Sequence, residues 1–185
     1  MSTLITNKII DSSSGATLLN STGAVVQVTR LRTDTIRAWA SVGSTPKEMT
    51  DVTISITPKF NNSLLIVKWV ICGEPGDHNM VFKIFKDGAV ITTSGEEGYN
   101  ITNGNAVYSG YFCGLYDAND SSTPAPNTII YCCNSGSTSA RSYGVGFVGS
   151  DGGNRAYYQN RGVSAIGQSS YENPVSFATI MEIVR

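Results

Sequence analysis

The chain is built from short runs in which apolar and polar residues alternate, separated about every ten residues by Gly, Asn, Ser or Asp. Residues 52–58 are the clearest case, because Val52, Ile54 and Ile56 fall on one face and hydroxyl-bearing residues fall on the other. A period of two with β-branched residues predicts a strand, and a series of such runs predicts an all-β sandwich or barrel. The sequence therefore predicts an all-β protein.

Ten predicted strands favour a two-sheet β-sandwich of the jelly-roll kind. Asp87-Gly88 lies between two of them and predicts a tight hairpin, because both residues accept the positive φ that such a turn requires. The predicted strands are residues 25–32, 50–57, 64–72, 79–85, 89–93, 107–116, 127–133, 143–148, 162–167 and 175–184.

The chain divides into an N-terminal arm, residues 1–23, and a β-sandwich head domain, residues 24–185. The arm is rich in Ser, Thr, Asn and Gly, and it has too few apolar residues to close a core alone. Two interpretations stay open, a flexible terminus or an extended arm that becomes ordered by docking on another chain. The docking residues predicted for the arm are two apolar pairs, Ile9 and Ile10 with Leu18 and Leu19.

Composition argues against several classes of partner. Charged residues make up 15% of the chain, the net charge is −1, and the Lys and Arg residues are scattered. Binding of nucleic acid or of a charged membrane surface needs a basic patch, so neither is expected. No apolar stretch approaches the roughly 20 residues of a membrane-spanning helix. The N-terminus lacks the pattern of a secretion signal, so we expect reduced thiols.

No catalytic or metal-binding motif emerges, and we predict neither enzymatic activity nor a cofactor. His78 is the only histidine and no nucleophile motif accompanies it, which indicates a loop histidine. The spacing in residues 117–120 resembles half a calcium loop but lacks its later Gly and Glu, so turn chemistry is favoured and calcium stays an alternative. Glu96-Glu97 indicates a solvated turn. The glycines at 144, 146 and 149 suggest close packing or a bulge in a strand.

The four cysteines are predicted to be buried, inert thiols. They lie at positions 72, 113, 132 and 133, and no Cys-x-x-Cys pair occurs. Cys132 and Cys133 are neighbours in a predicted strand, so their side chains should point to opposite faces.

The segment 157–161 is the predicted ligand-binding site. Aromatic rings stack on sugars, while amide and guanidinium groups bond to hydroxyl or acidic substituents. The alternative is that the tyrosines pack at a subunit interface or cover the edge of the core. The candidate residues are Tyr157, Tyr158, Gln159, Asn160 and Arg161.

The last predicted strand is apolar on both faces. Phe177, Met181 and Ile183 lie on one side, and Ala178, Ile180 and Val184 lie on the other. In a domain of two layers only one side can face the core, so the first three residues are predicted to form a subunit interface.

Three stretches of the sequence form a combination of motifs. A strand that ends in Thr-Pro, then a polar turn and an aliphatic strand, occurs at residues 53–67. A charged residue followed by Asp-Gly occurs at residues 81–88, and residues 175–183 end on Met-Glu-Ile. Together these stretches resemble tailed-bacteriophage virion proteins, especially fibre-like proteins of marine and cyanobacterial phages. The resemblance covers residues of about 50–185 and carries no catalytic residue.

The resemblance implies a trimeric tail or capsid fibre whose β-sandwich head contacts the host cell, with host glycans as the expected receptor. The arm would anchor the head to other virion proteins, and the protein would be assembled in the host cytoplasm. Two alternatives stay open: a capsid decoration or tail-assembly protein with no receptor, and a free carbohydrate-binding module.

Overall fold

A computed structural model describes residues 22–91, 111–112, 124–164 and 172–185. Twelve strands and one short 3-10 helix, Thr50–Val52, make up this part of the chain. In chain order the strands are β1 (Val25–Thr33), β2 (Arg37–Ser41), β3 (Lys47–Glu48), β4 (Ile54–Ile56), β5 (Leu64–Pro75), β6 (Met80–Lys86), β7 (Ala89–Val90), β8 (Tyr111–Phe112), β9 (Ala125–Asn134), β10 (Arg141–Gly149), β11 (Arg155–Gln159) and β12 (Ser176–Ile183).

The strands form two antiparallel sheets, which confirms the predicted all-β sandwich. β1, β12, β5 and β9 lie side by side in the larger sheet. Beyond the end of β12, β11 pairs with the last residues of β5, and β2 pairs with β11. β3, β4, β6, β7, β8 and β10 form the smaller sheet. Four strand pairings join the first half of the chain to the second half in reverse order. They are β1 with β12, β4 with β10, β5 with β9 and β6 with β8. This nested pairing is the topology of a jelly roll.

The core fills the space between the sheets with inward residues of both. Trp69 and Val67 of β5 face Phe82 and Ile84 of β6, and all four are fully buried. Trp69 also donates a hydrogen bond from Nε1 to the Val52 carbonyl at 3.0 Å, so its one polar atom is satisfied. A core of this kind needs no disulfide or metal.

The 3-10 helix departs from the predicted strand over residues 50–57. Val52 and Thr53 donate to the carbonyls three residues earlier, and Met49 and Val52 are both fully buried. A three-residue repeat places these two side chains on the same side of the chain. The apolar alternation is therefore realised as a strand only over β4.

Other predicted strands agree with the structure to different degrees. The predictions at 25–32, 64–72, 79–85, 127–133, 143–148 and 175–184 match β1, β5, β6, β9, β10 and β12 within a few residues. Residues 162–164 are not a strand, and much of the predicted strands at 107–116 and 162–167 lies outside the described residues. β2, β3 and β11 were not predicted, because they are only two to five residues long and show no sustained apolar alternation.

Two local predictions are confirmed. Asp87 and Gly88 have φ values of 52° and 77° and connect β6 to β7 as a two-residue hairpin. Gly144 and Gly146 allow close packing: a Cβ would lie 2.3 Å from Oε1 of Glu48 at the first and 2.3 Å from the Lys47 carbonyl oxygen at the second.

Candidate functional site: the outer face of the larger sheet

The side of the larger sheet that points away from the core is an apolar surface built by four adjacent strands. Residues opposite one another in antiparallel strands share a face, so the register identifies its members. We call this surface the outer face, and it consists of Val25, Val28, Arg30 and Arg32 of β1, Phe177, Thr179, Met181 and Ile183 of β12, Leu64, Ile66, Lys68 and Val70 of β5, and Thr128, Ile130, Cys132 and Asn134 of β9.

Large apolar side chains on the outer face are open to solvent. Val25, Val28, Ile130 and Phe177 are 49%, 45%, 47% and 46% exposed. Scattered apolar residues are normal on a protein surface, but these belong to one continuous sheet face. A contiguous exposed apolar patch of this kind is typical of interaction surfaces.

The charges on the outer face are all positive. Arg30 lies opposite Thr179, which lies opposite Lys68, so two cations share one row across the sheet. Arg32 lies opposite Phe177 in the next row and forms an exposed ion pair with Asp34, just beyond the end of β1. No Asp or Glu belongs to the outer face as defined here.

The predicted subunit-interface residues of β12 lie where the alternation placed them. Phe177, Met181 and Ile183 belong to the outer face, whereas Ala178 and Ile180 are buried in the core. β12 is not an edge strand, because β1 and β5 flank it. Whether another subunit covers these three residues stays a prediction.

The predicted ligand-binding segment is mostly buried. Tyr157 packs in the core, with its ring centroid 5.5 Å from that of Phe82, and Tyr158 is half-buried beneath Arg161, whose guanidinium carbon lies 4.8 Å from the ring centroid. Gln159, Asn160 and Arg161 are also buried. These five residues do not form an exposed stacking surface, and their burial supports the packing alternative.

Asn160 has a structural role that no local sequence signal reveals, because its partners lie in distant strands of the larger sheet. It lies directly after β11 with φ of 58°, and its side chain donates to the carbonyls of Thr33 and Thr35, each at 3.0 Å. Ser176, at the start of β12, donates to its Oδ1 at 2.6 Å. Asn160 therefore ties the end of β11 to the start of β12 and to the link between β1 and β2.

Glu182 is a buried carboxylate on the inner side of β12 that organises the turn before β5. The backbone N–H groups of Lys59 and Phe60 donate to it at 2.9–3.1 Å, Ser63 Oγ donates at 2.7 Å, and Gln27 Nε2 donates from β1. Burial by itself raises the pKa of Glu182, but these hydrogen bonds outweigh it, so its pKa lies below that of an ordinary glutamate.

The cysteines that the structure describes are free thiols. Cys72 and Cys133 are buried and Cys132 is half-buried, and the last two point to opposite faces of β9, as predicted. Burial raises the pKa of the Cys72 thiol, which keeps it protonated and unreactive. Cys113 lies outside the described residues.

The remaining candidates do not gather into a metal site in the described part of the chain. His78 is an exposed loop residue with Nδ1 2.7 Å from Oδ1 of Asp77. No group of three or more His, Cys, Asp or Glu residues that could hold a metal ion occurs among residues 22–91, 124–164 and 172–185. The other candidates lie outside the described residues. They are Glu96-Glu97, the possible calcium loop at residues 117–120, and the arm residues Ile9, Ile10, Leu18 and Leu19.

One shallow polar pocket of about 540 Å³ lies beside the loop from β9 to β10. Its walls include Asn134, Ser137, Arg141 and Lys86. Arg141 donates to the carbonyls of Ser135, Ser137 and Ser139, so it serves mainly to hold the loop together.

No protein-family model matches the sequence, and no curated protein matches it either. Within the described residues no helix is long and apolar enough to span a membrane.

Proposed function

We propose that the protein is a phage virion surface protein, a trimeric fibre or spike whose β-sandwich head mediates attachment to the host cell. The observation that carries the proposal is the outer face, which a single chain leaves open to solvent. Sister copies are the occupants that the proposal requires, and assembly in the host cytoplasm would bring them together. Weak receptor contacts repeated on one particle would then act together through multivalency.

The size of the outer face suits a contact between copies. Four strands about 4.8 Å apart and about seven residues long at 3.3 Å each span roughly 19 by 23 Å, a projected area of about 440 Å². One partner in a standard interface contributes about 800 Å² of accessible surface. The outer face would therefore form the centre of a contact that flanking loops complete.

Two of the three stretches behind the phage resemblance meet at Glu182. Glu182 is the central residue of the Met-Glu-Ile ending, and its carboxylate accepts hydrogen bonds from Lys59 and Ser63 of the Thr-Pro turn. A buried carboxylate that accepts from several donors of one turn holds that turn against its own strand. In this chain the two stretches therefore form one packed unit.

The ends of the sandwich support a division between anchoring and receptor contact. The described chain begins next to its own end, since Gly23 donates to the Val184 carbonyl at 2.7 Å. The twelve residues of β5 run from this end and span about 36 Å at about 3.3 Å per residue. Loops 42–45, 76–79 and 150–154 lie at the opposite end, where an anchored arm would leave them facing the host.

The mass of the purified full-length protein in solution is the first test. We expect three times the chain mass of 19.7 kDa, together with purified protein that competes with phage particles for adsorption to host cells. A monomer that does not associate with virions would refute the proposal.

A capsid-decoration or tail-assembly protein with no receptor is the second candidate. The burial of Tyr157, Gln159 and Asn160 favours it, because the segment chosen for glycan contact is occupied in packing. It predicts an oligomer that joins virions while purified protein does not compete for adsorption. A free carbohydrate-binding module would instead bind glycans without any association with particles.

A further inference from the structure

Three loops at the end of the sandwich opposite to the arm form one connected surface. We call this surface the tip, and it consists of residues 42–45, 76–79 and 150–154. Arg155, the first residue of β11, joins the second loop to the third. Its guanidinium lies 3.4 Å from Oδ2 of Asp77 and binds Oδ2 of Asp151. It also donates from Nε to the His78 carbonyl at 3.2 Å, so both loops are held by one side chain.

Further backbone contacts complete the tip. The Asn79 carbonyl accepts hydrogen bonds from the backbone N–H of Ser150 at 2.6 Å and from the Ser150 hydroxyl at 3.0 Å. The first loop joins through Gly43, whose N–H donates to Oδ1 of Asn154 at 2.8 Å. Loops that are already ordered lose less conformational freedom when they bind a ligand. The tip is therefore preorganised, as binding loops on a rigid scaffold commonly are.

The tip presents carboxylate oxygens and an apolar side chain to solvent, but little of its cation. Val42 is 70% exposed, and His78 and Asp151 are exposed as well. The Arg155 side chain, in contrast, is only 11% exposed. It already binds one oxygen of each of two carboxylates, so two negative charges are opposed by one buried positive charge. A ligand at the tip would therefore meet acceptor oxygens and an apolar surface, and not a guanidinium.

We propose that the tip is the receptor-binding surface and that it takes a neutral, hydroxyl-rich glycan. This inference rests on the proposed function and replaces residues 157–161, which are occupied in packing, as the place of glycan contact. Carboxylate oxygens accept hydrogen bonds from sugar hydroxyls, whereas they repel the anionic groups of an acidic glycan. Val42 and the ring of His78 supply the apolar contact for the C–H groups of a sugar, since ligand sites combine apolar surface with a few polar groups.

Binding of the full-length protein to an array of bacterial polysaccharides, some neutral and some bearing uronate or phosphate groups, tests the inference. We expect wild type to bind neutral polysaccharides. Val42→Asp and His78→Ala, on two different loops of the tip, should each weaken that binding by about tenfold or more, because each removes part of the apolar contact. Ala89→Asp is the matched control, because Ala89 is exposed beside the Asp87-Gly88 hairpin at the arm end, and it should bind like wild type.

Circular dichroism and sedimentation check that each variant keeps the fold and the oligomeric state of wild type. Binding that both tip variants retain at full strength would overturn the inference, and so would a wild type that binds only acidic polysaccharides. A wild type that binds no polysaccharide, yet competes with phage particles for adsorption to host cells, would overturn the inference and leave the proposed function intact. A wild type that does not compete for adsorption would remove the proposed attachment function as well.

Discussion

Replacing Glu182 by glutamine should be costly, although the side chain keeps its size. The carboxylate accepts hydrogen bonds from four donors, two of them backbone N–H groups. A glutamine oxygen can accept about two of them, and its amide group would turn its own hydrogens toward the rest. A buried donor left without a partner costs about 1–3 kcal/mol, so two lost bonds give about 3 kcal/mol. For a chain of this length the melting temperature should fall by about 6–12 °C.

The effect should depend on pH in a defined direction. Because the folded state lowers the pKa of Glu182, the ionised carboxylate contributes stability above the unfolded value of 4.5. That contribution is lost as the pH falls from this value through the lower folded pKa. The gap between wild type and Glu182→Gln should therefore be full at pH 7 and shrink below pH 4.5.

Urea unfolding followed by tryptophan fluorescence measures the difference, since Trp69 is fully buried. The matched control is Glu48→Gln: Glu48 accepts a hydrogen bond from the Thr53 hydroxyl at 2.8 Å, and we expect a loss of about 1 kcal/mol or less. A Glu182→Gln variant as stable as wild type at pH 7, or a gap that persists unchanged at pH 3, would show that the carboxylate is not what holds the turn.

Three further substitutions test the outer face, the strand junction and the packing of the smaller sheet. Phe177→Asp should dissociate the oligomer in sedimentation without lowering the stability of the fold. The control is Val42→Asp, because Val42 is 70% exposed but lies outside the outer face, and it should leave the oligomer intact. Equal effects of the two variants would contradict an interface on the outer face. Asn160→Ala should lower the free energy of unfolding by about 2–4 kcal/mol in urea, because the variant loses three hydrogen bonds and places alanine at a positive φ. A loss below about 1 kcal/mol would refute the role of Asn160 as a strand junction. Gly146→Ala should cost about 1–3 kcal/mol by thermal unfolding, since its Cβ would meet the Lys47 carbonyl, and a neutral result would mean that β3 moves freely.

Residues 157–161 show where sequence reasoning stops. A cluster of tyrosines, amides and an arginine has the composition of a sugar site, and nothing local distinguishes it from packing. The register of β11 with β5 and β2 turns Tyr157 into the core and Tyr158 outward. Asn160 is buried because two strands end beside it, a fact that belongs to residues more than a hundred positions away.

The alternation of apolar residues was enough to predict an all-β sandwich and the two-faced last strand, and the Asp87-Gly88 dipeptide was enough to predict a hairpin. These features depend on neighbours within a few residues. Strand pairing, the joining of Glu182 to the Lys59–Ser63 turn and the gathering of outward residues into one face were decided only by the tertiary structure. Four strands from distant parts of the chain form that face, so no local pattern could reveal that its apolar and positive side chains are continuous. A period of two says which side chains share a face of one strand, and only long-range pairing says which strands lie side by side.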